Sequence, residues 1–251
     1  MHLKSTLLLI LFLTESVVNF VPTPRYVENI AVDIVPQLDH SKWDGLLKKY
    51  VDDRGNVDYN SFAKDISELQ NYLDHLAKNR PMDMAPKPEK LAYYINLYNA
   101  ATVKLILDNY PTKSIKDIKN PWGKDIVQMG GEKVSLGDLE HKILRKMDEP
   151  RIHFAINCAS YSCPKLLNKA FTANNLEILL ERTAKDFIND PQRNVLTKEK
   201  ASLSQIFNWY KKDFTKNGSL IDYLNKYAAQ KLTSNTKISY LNYNWGLNEI
   251  E

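Results

Sequence analysis

Apolar positions along the chain gather into a few periodic stretches separated by polar and proline-bearing breaks. The clearest lies between Glu89 and Asn109, where Leu91, Tyr94, Ile95, Tyr98, Thr102 and Leu105 make one helical stripe. Ala92, Tyr93, Leu97, Ala100, Val103 and Leu107 fill most of the other side. A helix apolar nearly all round belongs at the centre of a domain, so this segment is predicted to be the core helix. Two amides, Asn96 and Asn99, interrupt it in YYINLYNA. A buried amide without partners costs roughly 1–3 kcal/mol. Each is therefore expected either to tie the helix to neighbouring loops or to polarise or orient a reacting group.

Shorter patterns surround this helix. KYVDDRGNVDY has apolar residues flanking Asp53-Arg54-Gly55-Asn56, which predicts a hairpin turn. Pro81 to Pro88 predicts a loop between two helices. DIVQMGGEKVS predicts a second hairpin around Gly130-Gly131. Ser135 then caps a helix reaching about Met147, with Asp138 three residues on. Its buried stripe is Leu136, Leu139, Ile143 and Met147, with Glu140 inside the stripe and His141 at its margin. A carboxylate on the apolar face is the less expected of the two.

The apolar run Arg151 to Cys158 has strand length. Strict alternation would put Ile152, Phe154, Ile156 and Cys158 on one face and point His153 away from Cys158. Cys163-Pro164 predicts the start of a short helix. Thr172 is expected to cap a further helix ending near Asp190-Pro191, followed by helices over Leu203–Phe214 and Leu220–Lys231 and a last strand, Lys237–Asn242. These elements predict an α+β fold, a single mainly helical domain packed on a small sheet.

Composition adds boundaries. At 251 residues, 43% hydrophobic and 25% charged, the chain can build a core without staples. Behind Lys4, the run Leu7 to Leu13 is too short to span a bilayer and predicts a secretory signal over residues 1–20, with one domain over 25–251 and a secreted product. An uncleaved anchor is the competing expectation, since no tidy small-residue cleavage site precedes Pro22. The net charge of +4 comes from basic residues scattered among acidic ones, so no nucleic-acid partner is expected, and no membrane once the leader is removed. No phosphate loop or dinucleotide fingerprint appears, so no cofactor is expected. The acidic cluster near Asp53 lacks the terminal Glu of a calcium loop.

Candidate chemistry concentrates in HFAINCASYSCP, residues His153 to Pro164, which holds both cysteines. Three interpretations stand side by side. An exported chain could close a Cys158–Cys163 disulfide, worth about 2 kcal/mol for so short a loop. Cys158, Cys163, His153 and His141 could supply zinc ligands, although their spacing matches no common zinc motif and no metal is expected. Cys158 could also be a nucleophile, its thiolate favoured by backbone N–H groups and a helix start, with His141 as base.

YYINLYNA with TVKLILDNYP, then DLEHKILR, DEPRIHFAINCASYSCPKL and the closing YLNYNWGLN together resemble the domain of unknown function 547 family, over about residues 45 to 247. The resemblance implies an Asn, Glu, His and Cys cluster, mapping onto Asn96 or Asn99, Glu140, His141 and Cys158. Such a set is similar to that of papain-like and transglutaminase-like thiol enzymes, in the permuted order with His before Cys. The expected activity is a secreted thiol hydrolase or acyl transferase acting on an amide, thioester or ester of an unidentified small molecule or peptide. The alternative is a non-catalytic extracellular binding domain held by a Cys158–Cys163 disulfide.

Overall fold

In the computed structural model, which describes residues 38–250, the predicted core helix runs from Lys87 to Leu107. Every residue from Leu91 to Val103 is buried, as an all-round apolar helix requires. Pro88 sits in its first turn, where a missing N–H breaks no intrahelical bond. Ahead of it lie α1 (Ser41–Tyr50), α2 (Tyr59–Phe62) and α3 (Ile66–Lys78), so the core helix is α4. The α3 helix buries Leu69, Tyr72 and Leu76 at helical spacing, and the Tyr93 hydroxyl donates to the Leu76 carbonyl at 3.0 Å. Trp43 of α1 stacks on Tyr72 with ring centroids 5.9 Å apart. The predicted leader lies outside the described residues, among which no helix is long and apolar enough to cross a membrane.

Next come β1 (Asp125–Met129) and β2 (Glu132–Ser135), antiparallel around Gly130 and Gly131. Both glycines have positive φ, 56° and 87°, the conformation a tight two-residue hairpin turn needs. The Ser135 hydroxyl accepts from the Asp138 N–H and starts α5 (Leu136–Asp138). The expected regular helix does not follow. Leu139–Ile143 widens into a π turn and Leu144–Met147 tightens into a 3₁₀ turn. Such irregular turns recur where side chains must be re-aimed.

The predicted strand Arg151–Cys158 is corrected to a 3₁₀ helix over Pro150–Phe154 followed by irregular chain. Pro150 fixes a helical φ at the first position, and the Glu149 carboxylate accepts from the Arg151 N–H. Ile152, His153 and Phe154 are buried in succession in this turn, so the two-face alternation that would point His153 away from Cys158 does not apply. No helix begins at Cys163-Pro164 either; that stretch is loop.

The α6 helix (Leu176–Asn189) ends before Asp190-Pro191, as expected. Thr172 caps the turn just before it, its hydroxyl accepting from the Asn175 N–H at 3.2 Å, while Asn175 occupies the N-cap. Beyond lie β3 (Val195–Leu196), β4 (Lys200–Leu203), α7 (Ile206–Trp209), α8 (Lys211–Phe214), α9 (Leu220–Tyr227) and β5 (Lys237–Tyr240). The β4 strand pairs antiparallel with β3 and parallel with β5. The fold is thus α+β, with a main core around α4 and a second aromatic cluster of Phe154, Phe187, Phe207, Phe214 and Tyr223.

The tail after β5 crosses back to the start of the domain. Asn248 accepts from the Tyr59 hydroxyl at 2.9 Å and donates to the Gly55 carbonyl at 3.0 Å. Gly55 closes the predicted turn at Asp53–Asn56, bridged by Val51 and Val57. Its φ is +85°, and a Cβ there would lie 2.8 Å from the Lys165 backbone, so glycine is required.

Candidate functional site

A cavity of about 250 Å³ opens where α4, the π turn, the Cys158 loop, α7 and the tail converge. Tyr98, Trp122, Trp209, Tyr210, Tyr243 and Trp245 make its walls largely aromatic. Glu140, His141, His153, Cys158 and Cys163 also line it. The π turn brings Glu140 and His141 there together, with Glu140 only 5% exposed and the His141 side chain 51% exposed.

The Cys158 loop is held at its neck by Asn157. Its side-chain carbonyl accepts from the Ala159 N–H at 2.7 Å, and its amide donates to the Pro164 carbonyl at 2.8 Å. Ala159 adopts φ +56°, a left-handed conformation costing an alanine about 1–2 kcal/mol. Within this turn Cys158 and Cys163 are both free thiols, their sulfurs 2.6 Å apart. Cys163 Sγ accepts the Cys158 N–H at 2.9 Å. Ser160 Oγ lies 3.1 Å and Tyr243 Oη 3.4 Å from Cys158 Sγ, and the two hydroxyls are 3.0 Å from each other.

The electrostatics divide the two thiols. Cys158 is held below the ordinary thiol range, above all by hydrogen bonding from Cys163 and then from Ser160 and Tyr243, against its burial and the nearby Glu140 charge. Cys163 is pushed well above that range by burial and by its thiol neighbour. Of the two, Cys163 keeps its proton and Cys158 is the sulfur that loses its own more readily. The means differ from those expected of a helix start. The Cys158 and Ala159 N–H groups are spent on Cys163 Sγ and Asn157, and thiol and hydroxyl donors take their place.

Glu140 accepts from the Tyr98 hydroxyl at 3.3 Å through Oε2, while the buried Oε1 has no hydrogen-bond partner. His141 Nδ1 lies 3.8 Å from that oxygen and 3.3 Å from Arg145 Nη1. Arginine only donates, so the second contact makes Nδ1 an acceptor and leaves the ring proton on Nε2. The hydrogen bonds described for Cys158 Sγ go to Ser160, Cys163 and Tyr243, and none goes to His141 or His153.

His153 occupies the same cavity from the 3₁₀ turn. Its Nε2 lies 2.8 Å from Asp213 Oδ2, and its ring stacks on Tyr210 at 3.9 Å. Burial lowers its pKa, outweighing Asp213 and Glu140, so the ring is neutral at pH 7. Asp213 then fixes the proton on Nε2 and leaves Nδ1 as the basic nitrogen. Asp213 is itself gripped by Arg145 through two bonds of 2.7 and 2.9 Å. Its carboxyl is held far below the usual range by His153 and Arg145, overcoming its burial.

Asn96 and Asn99 stand apart from the cavity lining. Asn96 exchanges two bonds with the Phe171 backbone, and Asn99 donates to the Ala155 carbonyl and accepts from the Asn157 N–H. Asn99 thereby anchors the strand of chain that leads into Cys158. Among the described residues no group of three or more His, Cys, Asp or Glu side chains is placed to hold a metal ion.

Sequence reasoning missed Ser160, Asp213, Tyr210 and Tyr243. Ser160, two residues from Cys158, and the aromatic density of YLNYNWGLN were visible signals; Asp213 carried none.

No curated protein matches the chain, and no solved structure matches it. The family model described as a protein of unknown function, DUF547, matches residues 82–188, a span that includes the core helix, Glu140, His141, His153 and both cysteines. Trp209, Tyr210, Tyr243 and Trp245 complete the cavity from beyond the matched segment, and Asp213, also beyond it, meets the cavity through His153. Over residues 82–188 the chain thus carries the sequence pattern of the DUF547 family.

Proposed function

We propose that the protein is a secreted thiol-dependent hydrolase or acyl transferase, with Cys158 attacking the carbonyl of an amide, thioester or ester. The observation that carries this is the convergence of three donors, from Cys163, Ser160 and Tyr243, on one sulfur in an aromatic cavity. A depressed thiol pKa makes proton transfer to an imidazole inexpensive. His153 is the better oriented of the two imidazoles, because Asp213 holds its proton on Nε2, the arrangement in which a third group orients the base. Nδ1 of His153 takes the Cys158 proton, Sγ adds to the carbonyl carbon, and Nδ1 returns the proton to the departing amine, alcohol or thiol. Water or an acceptor then adds to the resulting thioester, its proton passing through Nδ1 back to Sγ as the acyl product leaves. His141 at the cavity rim is the alternative base, in the order His before Cys that permuted papain-like enzymes use.

The test is labelling by an electrophilic acyl-type thiol probe at pH 6 to 7. Cys158→Ala should abolish labelling with the fold intact, and undiminished labelling of that variant would end the proposal. Comparing His153→Ala with His141→Ala identifies the base, whose loss removes turnover.

The 2.6 Å approach of Cys163 favours a second reading, a reversible dithiol couple. Diamide would take two electrons and two protons from the pair to form the disulfide, seen as a loss of about 2 Da that dithiothreitol reverses. A mass unchanged by diamide excludes it.

A further inference from the structure

Which substrate suits the cavity follows from what its walls lack as well as what they contain. No Lys or Arg lines it, and of its two histidines His153 is kept neutral by burial. Its one carboxylate, Glu140, is 5% exposed, accepts from Tyr98 at 3.3 Å and interacts with the Tyr210 hydroxyl, while Oε1, with His141 Nδ1 3.8 Å away, has no hydrogen-bond partner. A buried carboxylate oxygen left in this state is unusual, because such groups ordinarily find donors. The burial and charge around it also hold the Tyr210 hydroxyl protonated, so no second anion competes there.

Around this carboxylate stand aromatic rings whose faces attract cations. Two of them already do so on other sides: Lys116 Nζ lies 5.0 Å from the Trp245 ring centre, and the Arg145 guanidinium 5.3 Å from that of Tyr210. Trp122, Trp209 and Tyr243 carry no such cation in the described contacts. Trp209, Tyr243 and Trp245 form one continuous wall, with centroids 4.5 to 5.7 Å apart. The volume of about 250 Å³ is that of a small head group with a short chain, not of an extended peptide. An aromatic wall sharing a cavity with a buried carboxylate, one oxygen of which lacks a donor, is the chemistry that recognises an ammonium cation.

We propose that this cavity binds the alkylammonium or quaternary ammonium head of the substrate, so that the molecule acylated or deacylated at Cys158 carries a fixed positive charge beside its carbonyl. The link to acyl chemistry rests on the thiol reading above, whereas ammonium binding itself does not. The carboxylate of Glu140 acts through its field and the rings through their faces, and the thiol reacts with what they hold.

The experiment uses choline and its uncharged isostere 3,3-dimethylbutan-1-ol as probes, at pH 8 and constant ionic strength. Binding is followed by tryptophan fluorescence and calorimetry on the Cys158→Ala protein, so a failure of thiol chemistry cannot imitate a failure of binding. Choline should bind about tenfold or more tightly than the alcohol, and Glu140→Gln should erase that preference. In the wild-type protein choline should also slow alkylation of Cys158, which locates it in this cavity. Equal binding of the two probes, no binding of choline, or no protection of Cys158 overturns the proposal. Should Glu140→Gln not fold, Trp209→Ala removes a half-exposed ring of the wall and must weaken choline more than the alcohol.

Discussion

The unequal pair of thiols makes a prediction that can be worked through. Replacing Cys163 by alanine removes the donor that contributes most to lowering the Cys158 pKa. A hydrogen bond to a charged group is worth about 1.5–3 kcal/mol. At about 1.4 kcal/mol per pKa unit, the Cys158 pKa should rise by about 1–2 units in Cys163→Ala. The rate change is smaller than the change in thiolate fraction, because a more basic thiolate is also a better nucleophile. With a Brønsted slope of about 0.4–0.5, alkylation by iodoacetamide well below both pKa values should slow by about 3- to 15-fold. The pKa itself is the inflection of the rate against pH, measured in reductant with peptide mass mapping so that only Cys158 is counted. Cys163 does not confuse the count, since burial and its neighbour keep it protonated. Cys163→Ser retains a donor and should recover most of the shift. Circular dichroism of both variants checks that the loop stays folded. An inflection in Cys163→Ala that stays in place or moves down refutes the view that the Cys163 thiol lowers the Cys158 pKa.

Three further outcomes follow from the structure. Burial lowers the His40 pKa from 6.5 to about 4, and its Nδ1 lies 2.7 Å from the Tyr72 hydroxyl. Unfolding lets this ring take up a proton, so its contribution is full above about pH 6.5 and is lost as pH falls toward 4. The total is about 3 kcal/mol. Urea titrations at pH 7 and 4.5 should show a wild-type loss that His40→Gln reduces, and an equal loss in both proteins would refute the assignment. Asp213→Asn removes the charge shared by His153 and Arg145, both substantially buried, and should cost about 2–3 kcal/mol in denaturant titrations; a cost below 0.5 kcal/mol would show the pair to be solvent-screened. Asn99→Ala orphans the Ala155 carbonyl and the Asn157 N–H and should cost about 2–4 kcal/mol, whereas a variant of unchanged melting temperature that loses thiol reactivity would give Asn99 a chemical role instead.

How far the sequence foretells the molecule depends on the range of the interactions involved. Residues 87–107 were legible as the core helix because their burial follows from composition alone, and the Gly130-Gly131 hairpin because only glycine occupies such φ angles freely. Helical phase put Glu140 on the buried stripe and His141 at its margin, and only the family resemblance drew both toward Cys158, because the π turn that brings them into one cavity leaves no periodic trace. The segment from Pro150 to Phe154 misled for a definable reason. Its apolar residues Pro150, Ile152 and Phe154 alternate with Arg151 and His153 as a strand's would, and Pro150 with Glu149 decides in favour of the turn. The β3 and β4 strands are short and half exposed, too slight for any period to emerge. Asp213 meets His153 across 60 residues and Tyr243 meets Cys158 across 85, and no local rule reaches that far.

That last distance bears on how the reactive centre comes into being during synthesis. Tyr243 touches the Cys158 sulfur and Asn248 ties the tail to Tyr59, 189 residues earlier. Contacts of such separation form late, because the intervening chain must give up its freedom before they are made. While the ribosome is still making the chain, Cys158 exists but lacks one of its three donors and the wall that Tyr243 and Trp245 complete. The Tyr243 contact and the aromatic wall are thereby completed only after translation has passed Trp245, whereas Cys163 and Ser160 stand within five residues of Cys158 from the start.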